Sequence, residues 1–402
     1  MTAVRAALIV ALLCALITRD ADAQSDEIQY SPPLREALAA YRAGDLVAAE
    51  RMLRTFAPGD SDAEAWLGVL LLERGQNTEA LKALQHAADG GSSEADHRLG
   101  LVFAEGQAGV SRDDQHAAEL FEKAAKAGHR RAEINLGILY LRGQGVTRDL
   151  VQARAWLEKA AAGDDPDALY ALGRAMEQSE GQAIADPVRA ADSYRRAAEK
   201  GHGLAALRFG LALNDGYGVK RDLAAAQRWL IQAQKSGVPE AALALADMAA
   251  RMTNPRDKAA NEKVVQLAVS WYEVAARAGV PSAQFKLANA YFAGAGVERD
   301  VAQAKLWYLR AAKQGLAEAQ HALGILLIGG VGGPPDPVEG YKWLVLAEQG
   351  GDPDTHDVRE KAKQQLPEND RIRAEDLAKS FKPALERPVD DAVPRLASSS
   401  KQ

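Results

Sequence analysis

The sequence predicts an all-α fold, an α-solenoid of helix-turn-helix repeats wound as an α/α superhelix. Three observations lead there. A Leu-Gly step returns at Leu99-Gly100, Leu136-Gly137, Leu172-Gly173, Phe209-Gly210, Leu245-Ala246, Leu287-Ala288 and Leu323-Gly324, at intervals of 37, 36, 37, 36, 42 and 36 residues. A glycine-rich turn follows at Gly106…Gly109-Val110, Gly143-Gln144-Gly145-Val146, Gly216-Tyr217-Gly218-Val219 and Gly294-Ala295-Gly296-Val297. An aromatic series accompanies both, at Phe121, Trp156, Tyr194, Trp229, Tyr272, Tyr308 and Trp343. A fixed period of this length means stacked helical repeats, which build long surfaces rather than deep pockets.

Each period divides into two helices. In the unit beginning near Ala132, Leu136, Gly137 and Tyr140 share one helical face with Ala132. Gly137 marks a close helix crossing, where a larger side chain would hold the backbones apart. Gly143 and Gly145 end the first helix, because glycine tolerates the positive φ of a helix C-terminus. Asp149 starts the second helix, where a carboxylate accepts orphan N–H groups. That helix carries Ala153, Trp156, Ala160 and Ala161 and stops at Gly163. Trp156 is expected to supply its buried area.

The Leu-Gly step and the Gly-x-Gly turn together resemble the Sel1-like repeat, a relative of the tetratricopeptide repeat with a longer inter-helix turn. Seven registered copies fill residues 91–351. Two depart from the pattern. The turn after Leu172-Gly173 reads Glu180-Gly181-Gln182-Ala183-Ile184-Ala185-Asp186-Pro187, and the long unit carries Thr253-Asn254-Pro255-Arg256-Asp257. Upstream, residues 34–90 read as two tetratricopeptide-like helix pairs without the glycine turn. Residues 352–382 read as a helical C-terminal cap, since a terminal repeat needs a polar outer face. Residues 383–402 hold three prolines and a serine triplet and read as a disordered tail.

Residues 1–23 read as a cleaved export signal, followed by a linker over 24–33. Arg5 precedes an apolar run from Ala6 to Ile17, and Ala21-Asp22-Ala23 supplies a small-x-small cleavage pattern. The expected mature start is Gln24, and the expected location is periplasmic or secreted. Cys14 is the only cysteine and lies in the apolar run after Leu13. Lipid attachment needs a small residue before the cysteine, so no lipid anchor is expected. The chain after residue 23 has no cysteine and departs from the disulfide-stapled members of the family. The net charge of −6 argues against nucleic acid, which would need a basic stripe.

The chemistry-bearing residues form no catalytic constellation. None of the seven histidines makes a His-x-x-x-His pair, and His129 and His202 sit after Gly128 and Gly201 at one repeat position. Gly329-Gly330-Val331-Gly332-Gly333-Pro334-Pro335 lacks the Lys-Ser/Thr of a phosphate loop and aligns with the inter-helix turns. No nucleophile elbow occurs, and the paired carboxylates stand at turns and helix starts. No enzyme activity, metal or cofactor is expected.

The resemblance implies a scaffold or regulator that binds another protein, and in bacteria one serving an envelope process such as signalling, exopolysaccharide control or secretion-complex assembly. Cell-wall or glycan binding is the alternative, and a weak hydrolase a more remote one. At about 100° per residue, positions −2, +2 and +5 from the repeat leucine gather opposite it. In tetratricopeptide relatives that side lines the concave surface. Here it holds Tyr170, Arg174 and Glu177; Leu207, Leu211 and Asn214; Phe285, Asn289 and Phe292; His321, Ile325 and Ile328. Tyr170, Arg174, Phe285, Asn289, Phe292 and His321 are the candidate partner-binding residues. The competing reading is that a tight superhelix or the tail after Pro383 buries this side.

Overall fold

The computed structural model describes residues 30–179, 181, 183–252 and 258–386, and there it is built of α-helices without a strand. The helices come in antiparallel pairs. Two pairs lead: α1 (Pro32–Arg42) with α2 (Leu46–Phe56), and α3 (Ser61–Glu73) with α4 (Asn77–Asp89). Three pairs follow: α5 (Ser93–Glu105) with α6 (Asp114–Lys126), α7 (Arg130–Arg142) with α8 (Leu150–Ala161), and α9 (Pro166–Met176) with α10 (Pro187–Glu199). These form one compact unit that ends at residue 202. The second unit holds α11 (Gly203–Asp215) with α12 (Leu223–Lys235), α13 (Pro239–Ala250) with α14 (Lys258–Arg277), α15 (Pro281–Ala293) with α16 (Val301–Lys313), and α17 (Ala317–Ile328) with α18 (Pro337–Gln349). It closes with α19 (Thr355–Gln365) and α20 (Glu368–Lys379). The expected signal, 1–23, lies outside the described residues, as do 24–29 and 387–402.

The repeat glycine lets one side chain of the second helix plug against the first. A Cβ at Gly100 would stand 2.6 Å from Phe121, at Gly137 2.6 Å from Leu157, at Gly173 2.5 Å from Tyr194, at Gly210 2.9 Å from Leu230, and at Gly324 2.8 Å from Leu344. Gly68 meets Leu84 in the same way at 2.6 Å, so α3 and α4 already use the device. This corrects the aromatic series. Trp156, Trp229 and Trp343 precede the plug by one residue, and Leu157, Leu230 and Leu344 fill it. Trp156 and Trp229 are only half-buried. Trp156 instead carries the Lys159 ammonium 5.3 Å over its ring.

Among the described residues the same hydrogen bond closes six of the repeat turns. The N–H of the aspartate that starts the second helix donates to the carbonyl three residues after the repeat glycine: Asp113 to Phe103, Asp149 to Tyr140, Asp186 to Met176, Asp222 to Leu213 and Asp336 to Leu327, all within 2.8–3.0 Å. Asp300 donates to Tyr291 likewise at 2.9 Å, where Ala288 stands for the glycine. The same aspartate then caps its helix, as Asp149 does for Val151 and Gln152 at 2.8 and 3.1 Å. The arginine before it donates back across the turn, Arg148 to Leu141, Arg221 to Asn214 and Arg299 to Phe292. Gly143 and Gly294 end their helices at φ of 69° and 72°, with the backbone crowded by Arg148 and Arg299. The irregular turn between α9 and α10 keeps the closing bond, and Arg154 holds its loop through the carbonyls of Ala175, Gln178 and Ile184.

Candidate partner-binding surface

The long unit changes the pattern where the alanines replace glycine. The second glycine of a turn packs on the residue 31 positions earlier: Gly145 on Asp114, Gly296 on Val265 and Gly332 on Val301. Asp114 and Val301 open their helices, whereas Val265 is preceded by residues 258–264 of α14. Seven extra residues lengthen that helix by about 10 Å at 1.5 Å each. Ala246 and Ala288 bring a second change. Their plug residues, Tyr272 and Tyr308, reach the side chain one place further on. Tyr272 Oη donates to Asp247 at 2.7 Å, and Tyr308 Oη donates to Asn289.

A cavity of about 330 Å³ opens between α13, α14 and α15. Ala250, Ala268, Ala290 and Ala293 leave the space, Val265 and Val269 form a wall, and Lys286 and Asn289 stand at the rim. The Lys286 ammonium is paired with Asp247 and lies 5.4 Å over the Tyr272 ring. Burial first, then the hydrogen bond to Asp247, pushes the Tyr272 phenol above its ordinary range. Burial pushes Tyr308 up to about 12. Both phenols therefore stay neutral donors at physiological pH.

Asn289 joins this cavity to a ridge of two phenylalanines. Phe285 is half-buried, tilted against Tyr308 at 5.8 Å, and Asn289 and Phe292 are exposed. The other candidate residues stand elsewhere. Tyr170 and Arg174 are each 7 % exposed, which removes them from an open face. Tyr170 stacks on His202 at 4.6 Å, and Arg174 reaches Glu177 at 3.8 Å. His321 belongs to the cap contact, with Nδ1 2.7 Å from Thr355 Oγ1 and 2.9 Å from Asp352. For Tyr170 and His321 the physical reason is shared: at the −2 position the ring meets a residue at the start of the next repeat. Leu207 and Asn214 are buried as well, whereas Ile325 is exposed.

The same cross-repeat relation gathers Glu94, His97 and His129, whose ligand atoms lie within 4.8 Å of one another. The hydrogen bonds assign these atoms to folding. His129 Nδ1 accepts the Ala132 N–H at 3.2 Å, so Nε2 carries the proton and donates to Glu94 at 3.0 Å. An imidazole bound to a metal through Nε2 keeps its proton on the other nitrogen, which here is spent as the helix cap. Arg98 Nε holds the second Glu94 oxygen. Burial alone would push Glu94 up; Arg98 and the His129 hydrogen bond outweigh it and hold the carboxyl well below its ordinary range. His97 stacks on His129 at 4.5 Å, and burial lowers its imidazole well below the usual value. Asp167, Tyr170 and His202 repeat the arrangement, with His202 Nε2 3.4 Å from Asp167. Sequence reasoning placed His129 and His202 at one repeat position but missed these partners, 35 residues away; a carboxylate at −5 and a ring at −2 are the signal.

The Sel1 repeat model matches residues 93–129, 130–165, 166–202, 204–238, 262–280, 281–316 and 317–352, and the chain belongs to that family. In the long unit the match covers the second helix and leaves α13 out. The chain is 29 % identical to a crystallised Sel1 repeat protein from Oxalobacter formigenes, with a TM-score of 0.63 over 88 % of this chain and 96 % of that one. It is 38 % identical over 101 residues to an ERAD-associated E3 ubiquitin-protein ligase component, HRD3B, of Arabidopsis thaliana, covering 25 % of this chain and 16 % of the relative. It is 30 % identical over 238 residues to the chitin synthase regulator SKT5 of Saccharomyces cerevisiae, covering 57 % of this chain and 34 % of the relative. The chain thus spans about a third of the length of one of these relatives and less of the other. Sel1 repeat proteins are protein-interaction scaffolds and are in general non-catalytic. Among the described residues no helix is long and apolar enough to cross a membrane.

Proposed function

We propose that this protein is an exported, non-catalytic scaffold of a bacterial envelope process, and that its partner protein docks on α13–α15. The observation that carries this reading is the alanine-lined cavity beside Phe285, Asn289 and Phe292. The cavity suits one apolar side chain of a partner, with Lys286 and Asn289 at the rim to meet a carbonyl or carboxylate. Aromatic residues beside a pocket commonly anchor protein interfaces. The export part rests on Arg5, the apolar run and Ala21-Asp22-Ala23. Signalling, exopolysaccharide control and secretion-complex assembly are the processes this kind of scaffold serves.

Two measurements test the reading. Fractionation with mass determination is expected to find a periplasmic or secreted chain starting at Gln24; a cytoplasmic chain with an intact Met1 start rejects the export part. Capture from envelope extract is expected to give a stoichiometric protein partner. Retention on cell-wall sacculi without such a partner would replace the scaffold by a glycan binder.

A further inference from the structure

The chain does not leave the second unit at the end of α20. Phe381 packs edge-on against Trp343 at 5.4 Å, and the chain then runs back over the turn between α16 and α17. Pro383 lies on Gly315, within 3.3 Å of where a Cβ would stand. The Ala384 N–H donates to the Lys313 carbonyl at 2.8 Å, and the Glu386 N–H donates to Gln314 Oε1 at 3.1 Å. The Glu386 carboxylate accepts from Arg310 Nε at 2.9 Å, from its terminal nitrogen, and from Gln284 Nε2 at 2.9 Å. Residues 383–386, expected to begin a disordered tail, are therefore held in place by two main-chain and three carboxylate hydrogen bonds.

The receiving side is also held by hydrogen bonds of its own. With the strap in place Gln284 is fully buried and Gln314 is 7 % exposed. Gln314 Nε2 donates to the Gly279 carbonyl and to Gln284 Oε1, and Gln284 Nε2 donates to the Ala276 carbonyl. These bonds fix which end of each amide faces outward: an N–H from Gln284 and an oxygen from Gln314. Arg310 is steadied by the Trp307 ring, 4.6 Å from its guanidinium carbon. Among the described residues the set occurs once. One repeat later Gln320 takes the place of Gln284 with the same helix bond, to Ala312, but Gly350 and Leu346 stand where Gln314 and Arg310 would. A helix-packing device would recur with the period; a recognition site need not.

We propose that Gln284, Arg310 and Gln314 form a docking site for an extended peptide that carries a glutamate three residues after a proline, and that residues 383–386 occupy it in cis. A partner segment of that chemistry binds by displacing the strap. The argument is one of complementarity: the site offers one carbonyl and one amide oxygen to peptide N–H groups, and a planar guanidinium with an amide N–H to one carboxylate, the pairing that arginine makes best. The site shares no residue with the Phe285 face, and it stands or falls independently of it.

The test uses the full chain. Glu386→Ala removes the three carboxylate hydrogen bonds of the strap and leaves Gln284, Arg310 and Gln314 unchanged, and Glu386→Ala with Arg310→Ala removes the reader as well. The probe is the labelled, blocked peptide of residues 381–386, read by fluorescence anisotropy, with thermal melting to show that both variants remain folded. The expected result is binding to Glu386→Ala at least tenfold tighter than to the parent or the double variant, and at least tenfold tighter than binding of the same peptide with lysine in place of the glutamate. Should the double variant melt early, Glu386→Ala with Arg310→Gln replaces it. Equal binding to all three chains, or no binding to Glu386→Ala, overturns the proposal.

Discussion

Gly137 on α7 and Leu157 on α8 meet so closely that a Cβ on the glycine would lie 2.6 Å from Leu157 Cγ and 3.3 Å from the Ala153 carbonyl oxygen. The contact repeats at Gly68, Gly100, Gly173, Gly210 and Gly324, so each of these helix pairs is set at its distance by one missing side chain. Gly137→Leu is expected to destabilise the protein by about 1–3 kcal/mol through overpacking. Thermal melting against the parent checks it, and an unchanged melting temperature refutes the crossing.

The solenoid and the glycine crossings were legible because they depend on period and residue size, both written locally. The aromatic register was not. Trp156 attracts attention by its area, but the helix rotation places Leu157 over Gly137 and leaves the indole half-exposed. The 42-residue interval announced an irregular unit, yet only the fold shows the extra length as additional turns of α14 beside an alanine cavity. Tyr170 and Arg174 satisfied the same angular rule as Phe285 and Asn289. What separates them is the next repeat: His202 covers Tyr170, whereas Phe292 stays exposed with the Arg299 guanidinium 6.0 Å over its ring. The Glu386 strap was illegible, since its partner Arg310 is 76 residues away and the tail composition carries no packing signal.

His97 makes stability depend on pH. Unfolded, its imidazole titrates near 6.5; folded, burial holds it well below that. Glu94 and Arg98 on its own helix, His129 and Arg131 from the next repeat, and the Phe121 ring on α6 surround it. Between the two values the unfolded chain binds more protons, so stability is full above 6.5 and falls as pH drops below it. One proton gives at most about 1.4 kcal/mol per pH unit. His97→Phe is expected to flatten the melting profile between pH 5 and 6.5. A parent and variant with parallel profiles there would show that His97 does not titrate as placed.

The Glu94 network adds a second, more acidic limb. Its carboxyl is held below the ordinary 4.5, so its stabilisation is present above that value and is lost as pH falls through the lower folded one. Arg98→Ala leaves a buried carboxylate short of its cation and is expected to cost about 3–5 kcal/mol. Denaturant unfolding at pH 7 measures it. The hydrogen-bond assignment at His129 also makes a claim about metal: added zinc is expected to leave the melting temperature unchanged, and a zinc-dependent rise that His129→Ala abolishes would reverse it.

The partner face is tested by emptying it and by filling it. Phe285→Ala with Phe292→Ala removes both rings of the ridge. Phe292 is 38 % exposed and contributes little to packing, but Phe285 touches Tyr308, so the pair is expected to lower stability modestly while abolishing capture of the partner. Ala293→Leu separates the two effects. Ala293 lines the cavity and is exposed, so leucine there fills the mouth without entering the packed interior. The expected outcome is an unchanged melting temperature and at least a tenfold loss of partner affinity, about 1.4 kcal/mol. If Ala293→Leu binds like the parent and the double phenylalanine variant loses only stability, the cavity is a packing gap left by the long α14, and the ridge belongs to the core of the repeat.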